Sequence, residues 1–187
     1  VNGDAIEFLM CDPRQNWMTM PAFQSVAAVL VQSVTSCAGL IATQWRDSWW
    51  QIALAHSCAS VPNVSASRSC VIMGLLATEK DVSRKVVAQL LRNLQLSVRS
   101  ATDPGDNFHI ESLLRALSRI ARVADVEANI VLFWPAVSFL MYGMQPVFQE
   151  AAQLLLNVVG RLTSLAGEIE EVLLNLRQAN AQFEAAF

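Results

Sequence analysis

Charge is scarce in this 187-residue chain: 13 Lys and Arg and 16 Asp and Glu make up only 16% of it. Soluble domains usually carry about a quarter charged residues. Glycine and proline are also few, 7 and 6, while 53% of residues are apolar. That combination excludes a collagen-like, linker-dominated or disordered chain, because so much apolar surface must collapse. The four cysteines, Cys11, Cys37, Cys58 and Cys70, form no CxxC pair. They are too few for a disulfide scaffold, and their apolar neighbours read them as buried, reduced thiols in a reducing compartment. A net charge of −3 gives no electrostatic reason to expect nucleic acid. The length suits one domain, or two at most.

What charge there is lies unevenly. Residues 1–45 sum to −2, residues 46–125 to +3 and residues 126–187 to −4. Two runs, Gln15 to Trp45 and Ala128 to Gln149, have no charge at all. Each is long enough to raise a bilayer span, which needs about 20 apolar residues. The first is interrupted by Gln24, Ser25, Gln32, Ser33 and Thr35, and the second by Pro135, Gly143 and Pro146. Buried helices explain both better than membrane spans do.

Helical spacing recurs along the chain. Phe23, Val26, Ala27, Leu30, Val34, Cys37, Ala38 and Ile41 predict one amphipathic face within residues 21–44. Val86, Val87, Leu90, Leu91, Leu94 and Val98 make a second, and Ile110, Leu113, Leu114, Leu117, Ile120 and Ala121 a third. Residues 147–158 and 169–187 continue the pattern. Period-two alternation is scarce, so no sheet is expected. Breaks are expected at Val61-Pro62-Asn63, Thr102 to Asn107, Gly143 to Pro146 and Gly160, with Asp81, Asn107 and Ser164 as N-terminal caps. Paired, these helices give units of 35 to 45 residues at 65–99, 109–142 and 145–187. Their opening helices, at Ala66, Ile110 and Phe148, share a pattern of small, apolar and polar positions. That period predicts an all-α fold, a HEAT/armadillo-like solenoid of antiparallel helix pairs, with a compact bundle as the plainer alternative. Residues 1–44 read as an N-terminal helix or helix pair, and 45–187 as one continuous solenoid segment.

No reactive constellation is present. His56 and His109 stand 53 positions apart; His56 reads as a packed or helix-end residue, and His109, opening a helix, as solvent-exposed. A nucleophile pair of His56 with Cys58 or Cys70 would have no orienting acid and no oxyanion nest. Phosphate-loop, dinucleotide, zinc-protease and EF-hand signatures do not occur, and Glu168, Glu170 and Glu171 read as a solvated face. Catalytic, cofactor-binding and metal residues are therefore assigned as none. The sequon Asn63-Val64-Ser65 is a three-residue pattern that arises by chance, and Val1-Asn2-Gly3-Asp4 reads as neither a signal nor a transit peptide.

Two features read as surfaces. Lys85, Arg92 and Arg99 form one basic row, and Arg115, Arg119 and Arg122 a second on the next helix. Stacked side by side, they would make a positive patch for an acidic protein or a lipid headgroup; otherwise they are solvated faces balanced by Asp81, Glu111 and Asp125. Trp45, Trp49 and Trp50 read as core packing before partner contact.

Two blocks carry a resemblance. Asp47-Ser48-Trp49-Trp50 leads to Pro62-Asn63-Val64-Ser65-Ala66-Ser67-Arg68-Ser69 and an apolar helix with Gly74; Leu132-Phe133-Trp134-Pro135-Ala136-Val137 follows. In order and spacing they resemble neurofibromin-type Ras GTPase-activating proteins over about residues 45–187, with Pro62 and Asn63 transposed and Ser69 where that family has alanine; the divergence suits a fungal-like member. The resemblance implies the helical-repeat region C-terminal to the family's activating and Sec14-PH modules. The Phe-Leu-Arg and Pro-Ala motif of the activating domain is missing, so no arginine here inherits an arginine-finger role. The implied function is a non-catalytic, cytoplasmic scaffold or regulatory segment of a longer chain, acting through protein partners, self-association or other modules of its parent, with no cofactor. The alternative is peripheral, non-integral membrane contact through the basic faces.

Overall fold

In a computed structural model the described residues are 19–37, 39–58, 64–101, 107–141, 145–165, 174 and 176–178. Their regular structure is entirely α-helical: α1 Met20–Cys37, α2 Gly39–Ser57, α3 Val64–Leu76, α4 Arg84–Ser100, α5 Asn107–Ala121, α6 Val126–Leu140 and α7 Gln145–Leu165. The expected all-α class is what is seen. Cys11, Pro62-Asn63, Asp103 to Asp106, Gly143, the acids at 168–171 and the phenylalanines at 183 and 187 lie outside the described residues, as does most of the helix expected over 169–187. The chain forms two compact units, residues 1–76 and 77–187. Helix α2 runs unbroken through the 44/45 boundary, and the pair expected at 65–99 has its two helices in different units.

In the first unit, α1 and α2 both pack on α3. Helix α3 is buried on every side from Ala66 to Gly74, and again at Leu76. Its apolar residues surround it instead of lining one stripe, the pattern of a fully enclosed helix. Ala66, Ser67, Ser69, Cys70 and Gly74 keep it thin enough for close neighbours. Its buried Ser69 hydroxyl donates to the carbonyl of Ser65 one turn back at 2.8 Å, which places its proton within the helix. Over the uncharged stretch expected as one face, 21–44, the described residues are helical, in α1 to Cys37 and in α2 from Gly39. Helix α1 meets its unit along the narrow line Met20–Phe23–Ala27, which leaves Val26 on the flank, 48% exposed.

In the second unit α5 is the central helix. Ile110, Leu113, Leu114, Leu117, Ile120 and Ala121 are all fully buried, as the spacing predicts. Burying each of the larger ones is worth about 1.5–3 kcal/mol. Helix α7 packs along both α5 and α6 through Val147, Ala151, Leu154, Val158 and Leu162, which step by three and four. Helix α4 packs on α5 and α6, burying Val87, Leu90, Leu91 and Leu94.

The helix ends correct several expectations. Ser83, not Asp81, caps α4, its Oγ accepting from Val86 N. The Asp81 carboxylate accepts from Thr78 N at 3.2 Å and Thr78 Oγ1 at 2.5 Å, closing the turn before the helix. Asp125 caps α6, accepting from Ala128 N at 2.8 Å. Asn107 is the buried first residue of α5. Ser164 lies in the last turn of α7, where its hydroxyl donates to Arg161 O.

The last turn of α5 has carbonyls with no intrahelical donor, and the next two helices donate to these and to carbonyls of the turn that follows. Asn129 of α6, fully buried, donates through Nδ2 towards Ala121 O at 3.1 Å, Ala124 O at 3.2 Å and Asp125 O at 2.9 Å. From α7, Asn157 Nδ2 donates to Ser118 O at 2.9 Å and Arg161 Nε to Ala124 O at 3.2 Å. Removing the Asn129 amide takes from the buried Ala121 carbonyl its donor from α6, so Asn129→Ala is expected to cost about 1–3 kcal/mol in urea denaturation. Asn129→Asp, which aims a carboxylate at three carbonyl oxygens, is expected to cost more.

Gly160 was expected to end a helix, but α7 continues through it. Neither neighbouring turn needs a glycine there, and a Cβ at this position would meet nothing within 4 Å. Gly160→Ala is therefore expected to stabilise the chain by about 0.5–1 kcal/mol, through the lower backbone entropy of the unfolded state; thermal denaturation of the two proteins measures it.

Candidate partner surface

The two basic rows have different fates. On α4, Lys85, Arg92 and Arg99 are all exposed, and Arg84 joins them at the first helical position. The sequence Arg84-Lys85-Val86-Val87-Ala88-Gln89-Leu90-Leu91-Arg92-Asn93-Leu94-Gln95-Leu96-Ser97-Val98-Arg99-Ser100 holds four cations and no acid. Positions 85, 92 and 99 recur every seven residues and so share one face. Arg99 stands in the last turn, where the helix dipole favours a cation, but Arg84 and Lys85 stand in the first turn, where it opposes one. Leu96, 54% exposed, is four residues after Arg92 and three before Arg99, on the same face.

The second row is not an open patch. The half-buried Arg115 pairs with Glu150 of α7, its Nε donating to Oε1 at 2.8 Å and its Nη2 to the same oxygen. Burial, then the neighbouring Arg115 and Arg122, push the Arg119 guanidinium below its ordinary value, while Glu150 pulls it back. Burial pushes the Glu111 carboxyl up, Arg115 draws it down and Glu150 raises it again. Arg115, Arg119, Glu111 and Glu150 are thus one compensated network at the α5–α7 seam, with Arg122 exposed at its end. Glu111 was foreseen as a balancing charge. Glu150, 35 residues from its partner, carries no local signal.

The remaining chemistry-bearing residues are spent on packing. Trp49 and Trp50 are buried, and the Trp45 ring, half-buried, lies against Trp49 at a 42° tilt. This is the core role expected of them. Arg46 is buried beside them; its Nη1 donates to Leu76 O at 2.9 Å at the end of α3, and it pairs with Asp47. Arg68 is buried with its guanidinium 5.2 Å from the Phe23 ring centre, a cation–π contact joining α3 to α1.

Cys58 is half-buried and Cys70 fully buried, both as thiols. Burial, with Cys58 adding to it, pushes the Cys70 thiol far from the thiolate a nucleophile needs. His56, half-buried, stands in the last turn of α2. Among the described residues no group of three His, Cys, Asp or Glu side chains is placed to hold a metal ion, and no helix is long and apolar enough to cross a membrane.

The second block of the resemblance lies on α6. Phe133 and Trp134 pack edge to face at 5.2 Å, and Trp134 Nε1 donates to Leu176 O at 2.8 Å. Pro135, inside the helix and lacking an N–H, makes no bond to the carbonyl of Val131.

The described residues define an all-α helical protein in which α4 carries four exposed cations and no acid. Comparison with protein-family models, with curated proteins and with solved structures finds no match.

His109 corrects the last expectation. It is 3% exposed, and burial pushes its imidazole down to about 4. Between pH 6.5 and 4 the unfolded chain takes up a proton that the folded one refuses. Stability from this group is therefore complete above pH 6.5 and falls as pH drops towards 4, by about 3 kcal/mol in all. His109→Gln should remove that share of the acid sensitivity, read as the difference between the two proteins' urea denaturation curves from pH 7 to pH 4.

Proposed function

We propose that this chain is a non-catalytic helical scaffold segment that works by binding a protein partner, with the exposed face of α4 as its contact surface. The observation that carries this reading is the uncompensated charge of that face. Elsewhere in the second unit, half-buried cations are matched by acids or carbonyls, as Arg115 is by Glu150 and Arg161 by Ala124 O. Arg84, Lys85, Arg92 and Arg99 take part in no ion pair among the described residues. Two of them oppose the helix dipole at a cost of about 0.3–1 kcal/mol each. An exposed row of cations with no ion pair in the described fold is available to a partner of opposite charge.

In this reading the segment belongs to a HEAT/armadillo-like helical-repeat region of a neurofibromin-like Ras GTPase activator, and serves negative regulation of Ras signalling by joining partners, not by chemistry. The two sequence blocks around Arg68 and Trp134 support the family. The serial packing of α4, α5, α6 and α7, in which α7 lies on both preceding helices, is compatible with stacked helical repeats.

The test separates a binding face from a structural one. Arg84→Glu with Lys85→Glu places acids where the dipole favours them, at little change in helix propensity. The double variant is expected to melt higher than the wild type, by the equivalent of about 0.5–1.5 kcal/mol, whereas Arg115→Glu, facing Glu150, is expected to melt lower. A loss of stability in the double variant overturns the proposal, because the α4 cations would then be holding the fold.

A further inference from the structure

We infer that the exposed face of α4 receives an acidic amphipathic helix of a partner protein, whose apolar residue seats on Leu96 while its carboxylates engage Arg92 and Arg99. This rests on α4 being the contact face, and it names the chemistry of the partner.

Three observations on α4 converge on that occupant. The first is charge: the face presents four cations and no acid, so its complement is anionic. The second is Leu96, more than half exposed in the middle of the basic row. A purely electrostatic ligand would leave it in water. An apolar residue set between two carboxylates would cover it, and the aliphatic stems of Arg92 and Arg99 on either side extend the apolar strip. Their planar guanidinium groups remain suited to paired contacts with carboxylates. The third is spacing. Lys85, Arg92 and Arg99 repeat every seven residues, about 10 Å along the axis, with Leu96 about 6 Å beyond Arg92. A second helix laid alongside offers the same seven-residue repeat, with acids flanking an apolar position, as charged flanks do in coiled coils.

A lipid surface shares the anionic chemistry but fits the helix less well. An amphipathic helix binds a bilayer by sinking its apolar face below the headgroups. The apolar face of α4, through Val87, Leu90, Leu91 and Leu94, is already buried. Only Leu96 remains among the large apolar residues on the exposed side.

The experiment uses the whole chain and three probes at low salt. One is a fluorescent helical peptide of about 20 residues with glutamates seven apart and a leucine between them; the second has the same composition scrambled; the third is vesicles containing phosphatidylserine. Fluorescence anisotropy is expected to show the patterned peptide binding about tenfold or more tighter than the scrambled one. Leu96→Ser should weaken it about tenfold, and Arg92→Glu with Arg99→Glu about a hundredfold, with affinity falling as salt rises. Equal binding of both peptides, or no effect of Leu96→Ser, overturns the inference. So does vesicle binding that is lost in the arginine variant but indifferent to Leu96, which would assign the face to lipid. The melting test of Arg84 and Lys85 is independent of these outcomes. A higher melting point with no patterned-peptide binding leaves α4 a contact face and removes only this occupant.

Discussion

The end of α5 is the constraint around which the second unit is organised. A helix that stops inside a protein leaves carbonyls facing a medium without water, and each must find a donor or cost free energy comparable to a lost hydrogen bond. Here the donors come from the two helices that follow: Asn129 on α6, then Asn157 and Arg161 on α7. The apolar stripes of α5 and α7 would pack in several registers, since dispersion and hydrophobic burial are indifferent to small slides. Amide and guanidinium groups aimed at particular carbonyls are not. They select one register, and the Arg115–Glu150 pair, nearer the other end of the same seam, agrees with it.

The same economy explains how a chain with so little charge buries so many polar groups. Ser69 and Ser112 each turn the hydroxyl back onto the carbonyl four residues earlier, and Ser97 does the same to Asn93 O. A serine treated this way behaves as a small, nearly apolar residue, and a helix carrying several can be enclosed completely. Buried cations are handled differently in the first unit. Arg46 spends its guanidinium on the end of α3 and on Asp47, and Arg68 lies over an aromatic ring. Once such groups are paid for internally, exposed α4 is left with charge that nothing in the described fold uses.

What was legible in the sequence was whatever a period of 3.6 can encode. The buried stripe of α5 was readable residue by residue, as were the core of α4, the burial of Trp49 and Trp50 and the exposed row Lys85, Arg92, Arg99. What escaped was long-range or competitive. Nothing near Arg115 announces Glu150, and nothing near His109 announces that the start of its helix is covered. Asp81 and Ser83 are both good caps two residues apart, and the turn took one while the helix took the other. Gly160 carries a helix-breaking propensity of only about 1 kcal/mol, which the packing of Leu154, Val158 and Leu162 outweighs. Leu96 could have been noticed, since its spacing from Arg92 and Arg99 is local; it was hidden among leucines that do face the core.

The bond from Trp134 to Leu176 has a consequence for how the chain can change over time. It joins positions 42 residues apart, yet its acceptor is a main-chain oxygen, a group that every amino acid carries. The indole therefore recognises a place along the backbone and is blind to which side chain occupies it. Substitutions at 176 that fill the same space would leave the fastening intact, whereas inserting or deleting one residue in the connecting segment would bring a different carbonyl to the ring. A tether of this kind tolerates drift in spelling but not in counting.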